Sequence, residues 1–189
     1  FIYNPSEGDV YSVETINFTV NVTDFSFVET ISFNITNGSN DYISYPPFID
    51  ELFILEVDMN SLIEGTHIFS VYANDSFGHI NQSESITFRI DRTDPVVNIG
   101  FPTNNTNSSD STPDFSISVV DGSSTTSCVW YISGFAIGIN ASVQNDTVTA
   151  ITSNTTLLDG ATTWYVNCTD EAGNTGFSGL YGLTIDTTP

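Results

Sequence analysis

Basic side chains are almost absent from this sequence, and their absence limits the partners that the chain can have. It contains no lysine, its two arginines are Arg89 and Arg92, and 23 acidic residues give a formal net charge of −21. A surface of that charge repels the phosphates of nucleic acids and the anionic head groups of membranes, so the sequence disfavours both kinds of partner. Cations are the partners that such a chain attracts.

Long apolar runs and glycine-rich phosphate loops are missing too. No stretch is apolar enough over sufficient length to cross a bilayer, so no membrane insertion is expected, and no signal peptide is recognisable. The first residue is Phe1 rather than methionine, which indicates a processed chain or an excerpt. We expect an excerpt that holds two whole modules of a longer tandem array.

An internal repeat organises the chain. Residues 164–174 copy residues 69–79 at a constant spacing of 95, so that Val71 corresponds to Val166 and Asp75 to Asp170. Self-similarity at the length of a small domain indicates one module used twice. We place the two domains at residues 1–94 and 95–189.

Short runs of alternating apolar and polar residues fill both modules. Such runs, joined by turns rich in Gly, Pro, Asn and Asp, predict an all-β fold of two tandem antiparallel β-sandwiches. Residues 36–50 are expected to be loop and turn. The predicted strands lie at residues 1–3, 16–22, 31–35, 53–59, 68–74 and 86–90, and at residues 115–119, 128–132, 148–158, 164–168 and 181–185.

The end of the second module carries a recognisable series of motifs. The turn Asp159-Gly160 leads into the alternating strand 164–168, then into the turn Asp170-Glu-Ala-Gly-Asn174 and the closing Asp186-Thr-Thr-Pro189. This order resembles the bacterial and archaeal immunoglobulin-like (Big-type) tandem repeats of large cell-surface proteins. The resemblance implies two immunoglobulin-like sandwiches in an extracellular location at the cell surface. The lysine-free, Asn- and Thr-rich composition looks most like archaeal surface proteins.

The two cysteines, Cys128 and Cys168, fall on inward positions of predicted strands. In the immunoglobulin-like sandwich that the resemblance implies, these are the third and sixth strands and lie side by side, so we expect a disulfide. Two buried free thiols are the alternative. The first module has Ile31 and Ala73 at the corresponding positions and must be stabilised by packing alone.

Four carboxylates form a candidate metal site. In the implied fold, the loops after the second and sixth strands of the second module carry Asp121 and Asp170 and face the preceding module, and the linker carries Asp91 and Asp94. Carboxylate oxygens are the ligands that calcium takes, so these four residues predict a possible calcium site. The alternative is that Asp170 only forms its turn and that the linker acids are solvated. No other cofactor is expected.

N-linked glycans are the expected modification. Several Asn-x-Ser/Thr acceptors fall on the solvent side of predicted strands, where a glycan would leave the core undisturbed. The acceptor asparagines are Asn17, Asn21, Asn34, Asn37, Asn74, Asn81, Asn104, Asn107, Asn140, Asn145, Asn154 and Asn167.

Catalytic groups are scarce. The only histidines are His67 and His79, neither has a counterpart in the second module, and we expect surface roles for both. A serine or threonine nucleophile is not recognisable without a base beside it, and no cleft-forming insertion favours an acid pair for glycoside cleavage. The sequence therefore predicts that the chain is not an enzyme.

These observations favour a structural role. We expect an extracellular spacer or filament-building segment of a glycosylated cell-surface protein, whose partners are neighbouring modules or identical subunits. The short linker that ends at Pro95 would limit bending, because proline fixes one backbone angle. The alternatives are an adhesin that binds a host or sugar ligand through loops such as residues 37–47, and an accessory module of a secreted enzyme.

Overall fold

The computed structural model describes residues 1–12, 14–24, 27–37, 41–44, 52–83 and 85–188. The chain divides into two compact units, Phe1–Arg92 and Thr93–Pro189, so the division falls two residues before the expected boundary. In the described ranges the regular structure is β apart from one 3-10 helix, Met59–Ser61. Within those ranges, no helix has the length and apolar character needed to cross a membrane.

The first unit contains two sheets that pack around one core. The smaller sheet has the order β1-β3-β6, and the larger has the order β2-β9-β7-β4-β5, with β8 also paired to β7. The strands are β1 (Ile2–Asn4), β2 (Val10–Tyr11), β3 (Thr15–Asn21), β4 (Val28–Thr36), β5 (Asp41–Ser44), β6 (Leu52–Asp58), β7 (Gly65–Asp75), β8 (Ile80–Gln82) and β9 (Ile86–Ile90).

The second unit repeats this topology strand for strand. Its smaller sheet has the order β10-β12-β15, and its larger sheet has the order β11-β18-β16-β13-β14, with β17 also paired to β16. The strands are β10 (Val96–Phe101), β11 (Thr106–Ser108), β12 (Asp114–Val120), β13 (Thr125–Ile132), β14 (Phe135–Gln144), β15 (Thr149–Thr152), β16 (Gly160–Thr169), β17 (Thr175–Phe177) and β18 (Tyr181–Ile185). The prediction of an all-β fold built from two sandwiches is confirmed.

Aromatic side chains form the centre of the first core. Phe18 from the smaller sheet is fully buried and packs edge-to-face on Phe69 and Phe88 of the larger sheet, at ring-centroid distances of 4.8 and 5.5 Å. The inward positions of β4, namely Ile31, Phe33 and Ile35, complete the same cluster. The alternation along each strand places these residues on one face, and the two apolar faces pack together.

The second core uses tryptophan where the first uses phenylalanine. Trp130 and Trp164 are both fully buried, and Phe115 packs edge-to-face on Trp164 with centroids 4.9 Å apart. Both tryptophans belong to the buried cluster of the second unit.

Several features differ from the expected fold. Residues 41–44, expected to be loop, form the edge strand β5 and pair antiparallel with β4, while residues 45–50 of the same expected loop lie outside the described part of the chain. The sandwiches are also not purely antiparallel, because β2 runs parallel to β9 and β11 runs parallel to β18. These short strands escaped prediction because two or three residues are too few to show an alternating pattern.

Candidate functional site

The cysteines of the second unit form a disulfide across two neighbouring strands. Cys128 on β13 lies directly opposite Cys168 on β16, and both side chains are fully buried. The sulfur atoms are 2.07 Å apart and the Cα atoms 4.1 Å apart. At the same register position, the first unit pairs Ile31 with Ala73. The expected cross-link is therefore present, and packing replaces it in the first unit.

Two of the four expected calcium ligands lie together in the second unit. Asp121 follows β12, Asp170 follows β16, and their carboxylate oxygens lie within 4.8 Å of each other. Asp121 accepts a hydrogen bond from the backbone N–H of Ser123 at 2.7 Å. Its other carboxylate oxygen, Oδ2, is buried and has no hydrogen-bond partner among the described residues. Such a pair of carboxylates has the chemistry to hold a cation.

The two linker acids have different surroundings. Asp91 belongs to the first unit, where its carboxylate accepts a hydrogen bond from the Arg89 guanidinium at 2.6 Å and its backbone N–H donates to the Tyr11 carbonyl at 2.8 Å. Asp94 is the second residue of the second unit, and its side chain is exposed. Calcium binding by all four residues stays a prediction.

Asp170 and its counterpart Asp75 each organise a tight turn. The Asp75 carboxylate accepts from the backbone N–H groups of Phe77 and His79 at 2.9 and 2.8 Å, and the Asp170 carboxylate accepts from that of Asn174 at 2.9 Å. The turn-forming role expected for Asp170 is present in the structure, and Asp75 has the same role in the first unit. In the second unit, this role coexists with the proximity of Asp170 to Asp121.

The two turns differ in one side chain that titrates. His79 Nδ1 lies 2.8 Å from the Asp75 carboxylate, and this hydrogen bond raises the pKa of His79 and lowers that of Asp75. In the second unit, Asn174 occupies the position of His79, and its side-chain amide donates to Asp170 at 2.8 Å. One turn therefore contains an ionisable pair and the other a neutral donor.

The two histidines lie in different surroundings. His67 is only 2% exposed, packs against the Phe88 ring at 5.4 Å and donates from Nε2 to the Ile63 carbonyl at 2.8 Å. The expectation of a surface role is therefore wrong for His67, because its position on β7 points into the core. His79 is exposed and engaged with the turn.

The acceptor asparagines differ in exposure. The amide oxygens of Asn104 and Asn145 accept backbone hydrogen bonds from Gly182 and Asp121, and Asn34 Oδ1 is buried. The exposed acceptors are Asn17, Asn81, Asn104, Asn107, Asn145, Asn154 and Asn167, and the partly buried ones are Asn21, Asn34, Asn37, Asn74 and Asn140.

An aromatic face covers the outer side of the larger sheet in the second unit, and the sequence reasoning missed it. It consists of Tyr131, Tyr165 and Phe177. The Tyr131 and Tyr165 rings stack with centroids 4.8 Å apart and planes at 10°, and Phe177 meets Tyr165 edge-to-face at 5.5 Å. Alternation next to the inward tryptophans indicates that Tyr131 and Tyr165 point outward, but no sequence pattern indicates that they meet Phe177.

A shallow groove lies beside the aromatic face, and the acceptor Asn167 forms part of its lining. Its lining residues are Ser127, Val129, Tyr131, Asn167, Thr169, Thr175, Gly176 and Phe177.

Comparisons with known proteins agree with the fold. Residues 98–187 match the family model described as bacterial Ig-like domain. No curated protein sequence matches the chain. Among solved structures, fibronectin(III)-like modules of CbhA from Clostridium thermocellum give a TM-score of 0.52 at 14% identity, covering 98% of this chain and 93% of theirs.

Two further structures are similar over most of this chain and about half of their own length. Tandem domains of titin give a TM-score of 0.55 at 11% identity, covering 93% of this chain and 60% of theirs. A tetra-tandem repeat from the extending region of a large adhesion protein gives 0.47 at 19% identity, covering 94% of this chain and 49% of that one. At such identities, the likenesses to the CbhA modules and to titin show the fold alone.

Proposed function

We propose that the second unit is a bacterial Ig-like domain and that the first unit is its structural repeat. On that basis, this chain is a non-catalytic structural segment of an extracellular, cell-surface protein. It acts as a spacer or filament-building segment, and its acidic surface carries N-linked glycans. The observation that supports this most directly is the strand-for-strand repetition of one closed sandwich across a very short connector.

Each end of that connector is anchored in its own unit. Arg92, the last residue of the first unit, donates from its guanidinium to the carbonyl oxygens of Met59 and Leu62 at 2.5 and 3.0 Å. Pro95 is buried, and its carbonyl lies so close to Gly176 that a Cβ added there would be 1.8 Å away. Only two residues, 93 and 94, separate these anchors. A connector this short has little conformational freedom, as a spacer requires.

NMR relaxation tests the spacer role by giving a separate rotational correlation time for each unit. We expect both values to be those of one 189-residue body in the intact chain and to fall toward the value of a single unit when six Gly/Ser residues are inserted between Thr93 and Asp94. The same insertion in the β13–β14 turn, between Ser133 and Gly134, is the matched control and should leave both values unchanged. Independent tumbling of the units in the intact chain would contradict a spacer.

Binding assays separate the spacer from its two rivals. A spacer should bind nothing saturably on a glycan array, whereas an adhesin that uses the loop at residues 37–47 should bind one class of sugar. Of that loop, only residue 37 and residues 41–44 lie in the described part of the chain. An accessory module of a secreted enzyme predicts a catalytic domain encoded in the same gene, which flanking sequence would reveal.

For the filament-building form of the proposal, the favoured joint is the edge strand β14. This ten-residue strand carries no charged side chain, and Phe135 and Ile139 on it are 77% and 67% exposed. Uncharged edges of this length favour pairing with a second copy. Light scattering at increasing concentration should show assembly, and Ile139→Lys should abolish it. If the chain stays monomeric at every concentration, filament building is contradicted and only the spacer role remains.

We propose that Asp121 and Asp170 bind calcium, with Asp91 and Asp94 as the further ligands predicted from the sequence. Two observations support the proposal: one buried Asp121 oxygen has no hydrogen-bond partner among the described residues, and the Asp170 carboxylate lies close to it. A cation there would offset the repulsion between two adjacent carboxylates.

A further inference from the structure

The aromatic face of the second unit lies beside one of the glycan acceptors. Asn167 is exposed on β16, and the register places it directly opposite Phe177 on β17 and Val129 on β13. Its neighbours two positions away on the same strand, Tyr165 and Thr169, point to the same side because strand side chains alternate. The sequence Tyr165-Val-Asn-Cys-Thr169 therefore presents an aromatic ring, the acceptor amide and the acceptor hydroxyl along one line.

We propose that Asn167 carries an N-linked glycan whose first sugar ring packs on Phe177 and Tyr165 and stabilises the second unit. The proposal rests on the extracellular, glycosylated character proposed above for the chain. Among the acceptor asparagines, the proposal selects Asn167 and gives its glycan a structural role within the second unit.

Distance and shape support this packing. Directly opposed residues on neighbouring antiparallel strands have Cβ atoms about 4.5–5.5 Å apart, so the first sugar on Asn167 starts beside the Phe177 ring. A pyranose ring presents a flat face of C–H groups that matches an aromatic side chain. Phe177 is 59% exposed, so a sugar laid across it removes apolar surface from water.

The first unit lacks this combination at the corresponding place. Its register there pairs Tyr72 with Gln82, so neither an acceptor asparagine nor an exposed phenylalanine is present at those two positions. A strand acceptor with no aromatic residue opposite it on β6 or two positions away on its own strand is available in Asn17 on β3. It faces Glu56 across the ladder, has threonines two positions away on either side, and serves as the matched control.

The attachment chemistry is ordinary group transfer. The Asn167 side-chain nitrogen attacks the anomeric carbon of a lipid-pyrophosphate-linked oligosaccharide, a new C–N bond forms and the C–O bond to the pyrophosphate breaks. The lipid pyrophosphate leaves, and the amide proton passes to a base of the transferase. Thr169 supplies the hydroxyl that makes Asn167 an acceptor.

A double-mutant cycle tests the proposal, with the full chain produced in a host that attaches N-glycans. Glycopeptide mapping should show Asn167 occupied. Thr169→Ala removes the glycan without changing Asn167, Phe177→Ser removes the ring, and the melting temperature of the second unit is measured for all four combinations. We expect a coupling of about 4–8 °C between the two changes, the shift that an aromatic contact produces in a domain of this size.

Two control series determine whether the coupling comes from the glycan. It should vanish when the same four chains are made in a host without N-glycosylation, and Thr19→Ala, which removes the Asn17 acceptor, should show no coupling with Phe177→Ser. An unmodified Asn167 beside a modified Asn17 would overturn the proposal. So would an occupied Asn167 with no coupling, or with equal coupling in both hosts.

A free carbohydrate could present the same sugar chemistry to this face, and one further variant separates the two sources. If Asn167→Gln binds a sugar saturably on a glycan array and Phe177→Ser abolishes that binding, the face holds a partner's sugar and the proposed own glycan is wrong. The tumbling experiment on the connector does not depend on Asn167, so this proposal and the spacer role can fail separately.

Discussion

Replacing the disulfide by the residues of the first unit gives a quantitative test of what stabilises the second. The double substitution Cys128→Ile and Cys168→Ala copies the Ile31–Ala73 pair, which occupies the same register position. The bond closes a loop between residues 40 positions apart. Constraining such a loop in the unfolded chain contributes about 4 kcal/mol, and the isoleucine changes packing by about 1 kcal/mol in either direction. We therefore expect a loss of about 3–5 kcal/mol.

Tryptophan fluorescence reads this loss from one unit only. Both tryptophans of the chain, Trp130 and Trp164, are buried in the second core, so their emission follows its unfolding alone. Denaturant titration of the intact and substituted chains, made without glycans, should show the lower midpoint and a larger slope, because the unfolded chain exposes more surface once the cross-link is removed. In thermal unfolding the same loss corresponds to a decrease of about 12–40 °C.

The first unit serves as the internal control. Its unfolding, followed by NMR signals of its own residues, should be unaffected by a change in the other unit. A loss below about 1 kcal/mol in the second unit would refute the chain-entropy argument. It would mean that the sandwich core suffices there, as it must in the first unit.

Three further predictions follow from the packing, the turn and the acid pair. Phe18→Ala should destabilise the first unit by about 3–5 kcal/mol, measured by urea unfolding, because it empties the centre of an aromatic cluster; a loss under about 1 kcal/mol would contradict that central role. NMR titration should give His79 a pKa above its usual value. Its stabilising contribution should be present at acidic pH and lost as the pH rises through that raised pKa. The stabilising contribution of Asp75 should be lost as the pH falls through its lowered pKa. His79→Asn should remove the alkaline loss, and an unchanged pH profile would exclude the pair as its cause. Calcium should raise and EDTA lower the melting temperature of the second unit, with no effect in Asp121→Asn; no shift in the intact chain would contradict the calcium site.

The sequence predicts the long buried strands well because burial leaves a repeating mark on them. Phe18 and Val20, or Phe115 and Ile117, alternate with polar residues, and the structure buries them all. Because the sequence repeats at a spacing of 95, the second unit is expected to have the same strands as the first. Alternation and direct repetition are both visible in the sequence itself, so they can be interpreted without a structure.

The edge strand β14 escaped prediction for a physical reason. The strand β14 contains Gly138 and exposes Phe135, Ala136 and Ile139, so it lacks the alternation that marks a half-buried strand. Its pairing is determined by β13, its neighbour in the sheet, and no local pattern carries that information.

The candidate sites were predictable only in part. The disulfide followed from the resemblance because Cys128 and Cys168 sit on strands that pair in that fold. The aromatic face did not, because Tyr131, Tyr165 and Phe177 meet only once three strands have taken their register. Their contact is a tertiary property that no single window of sequence displays.

The parallel pairing of an early and a final strand in each unit has a mechanical consequence. The early strand β2 lies beside the final strand β9, and backbone hydrogen bonds join Gly8 to Thr87, Asp9 to Arg89 and Tyr11 to Asp91. Because the two strands run in the same direction, a pull that draws the chain ends apart slides one along the other instead of peeling them open. Those bonds then bear the load together and must rupture together, and the β11–β18 pair gives the second unit the same resistance to stretching.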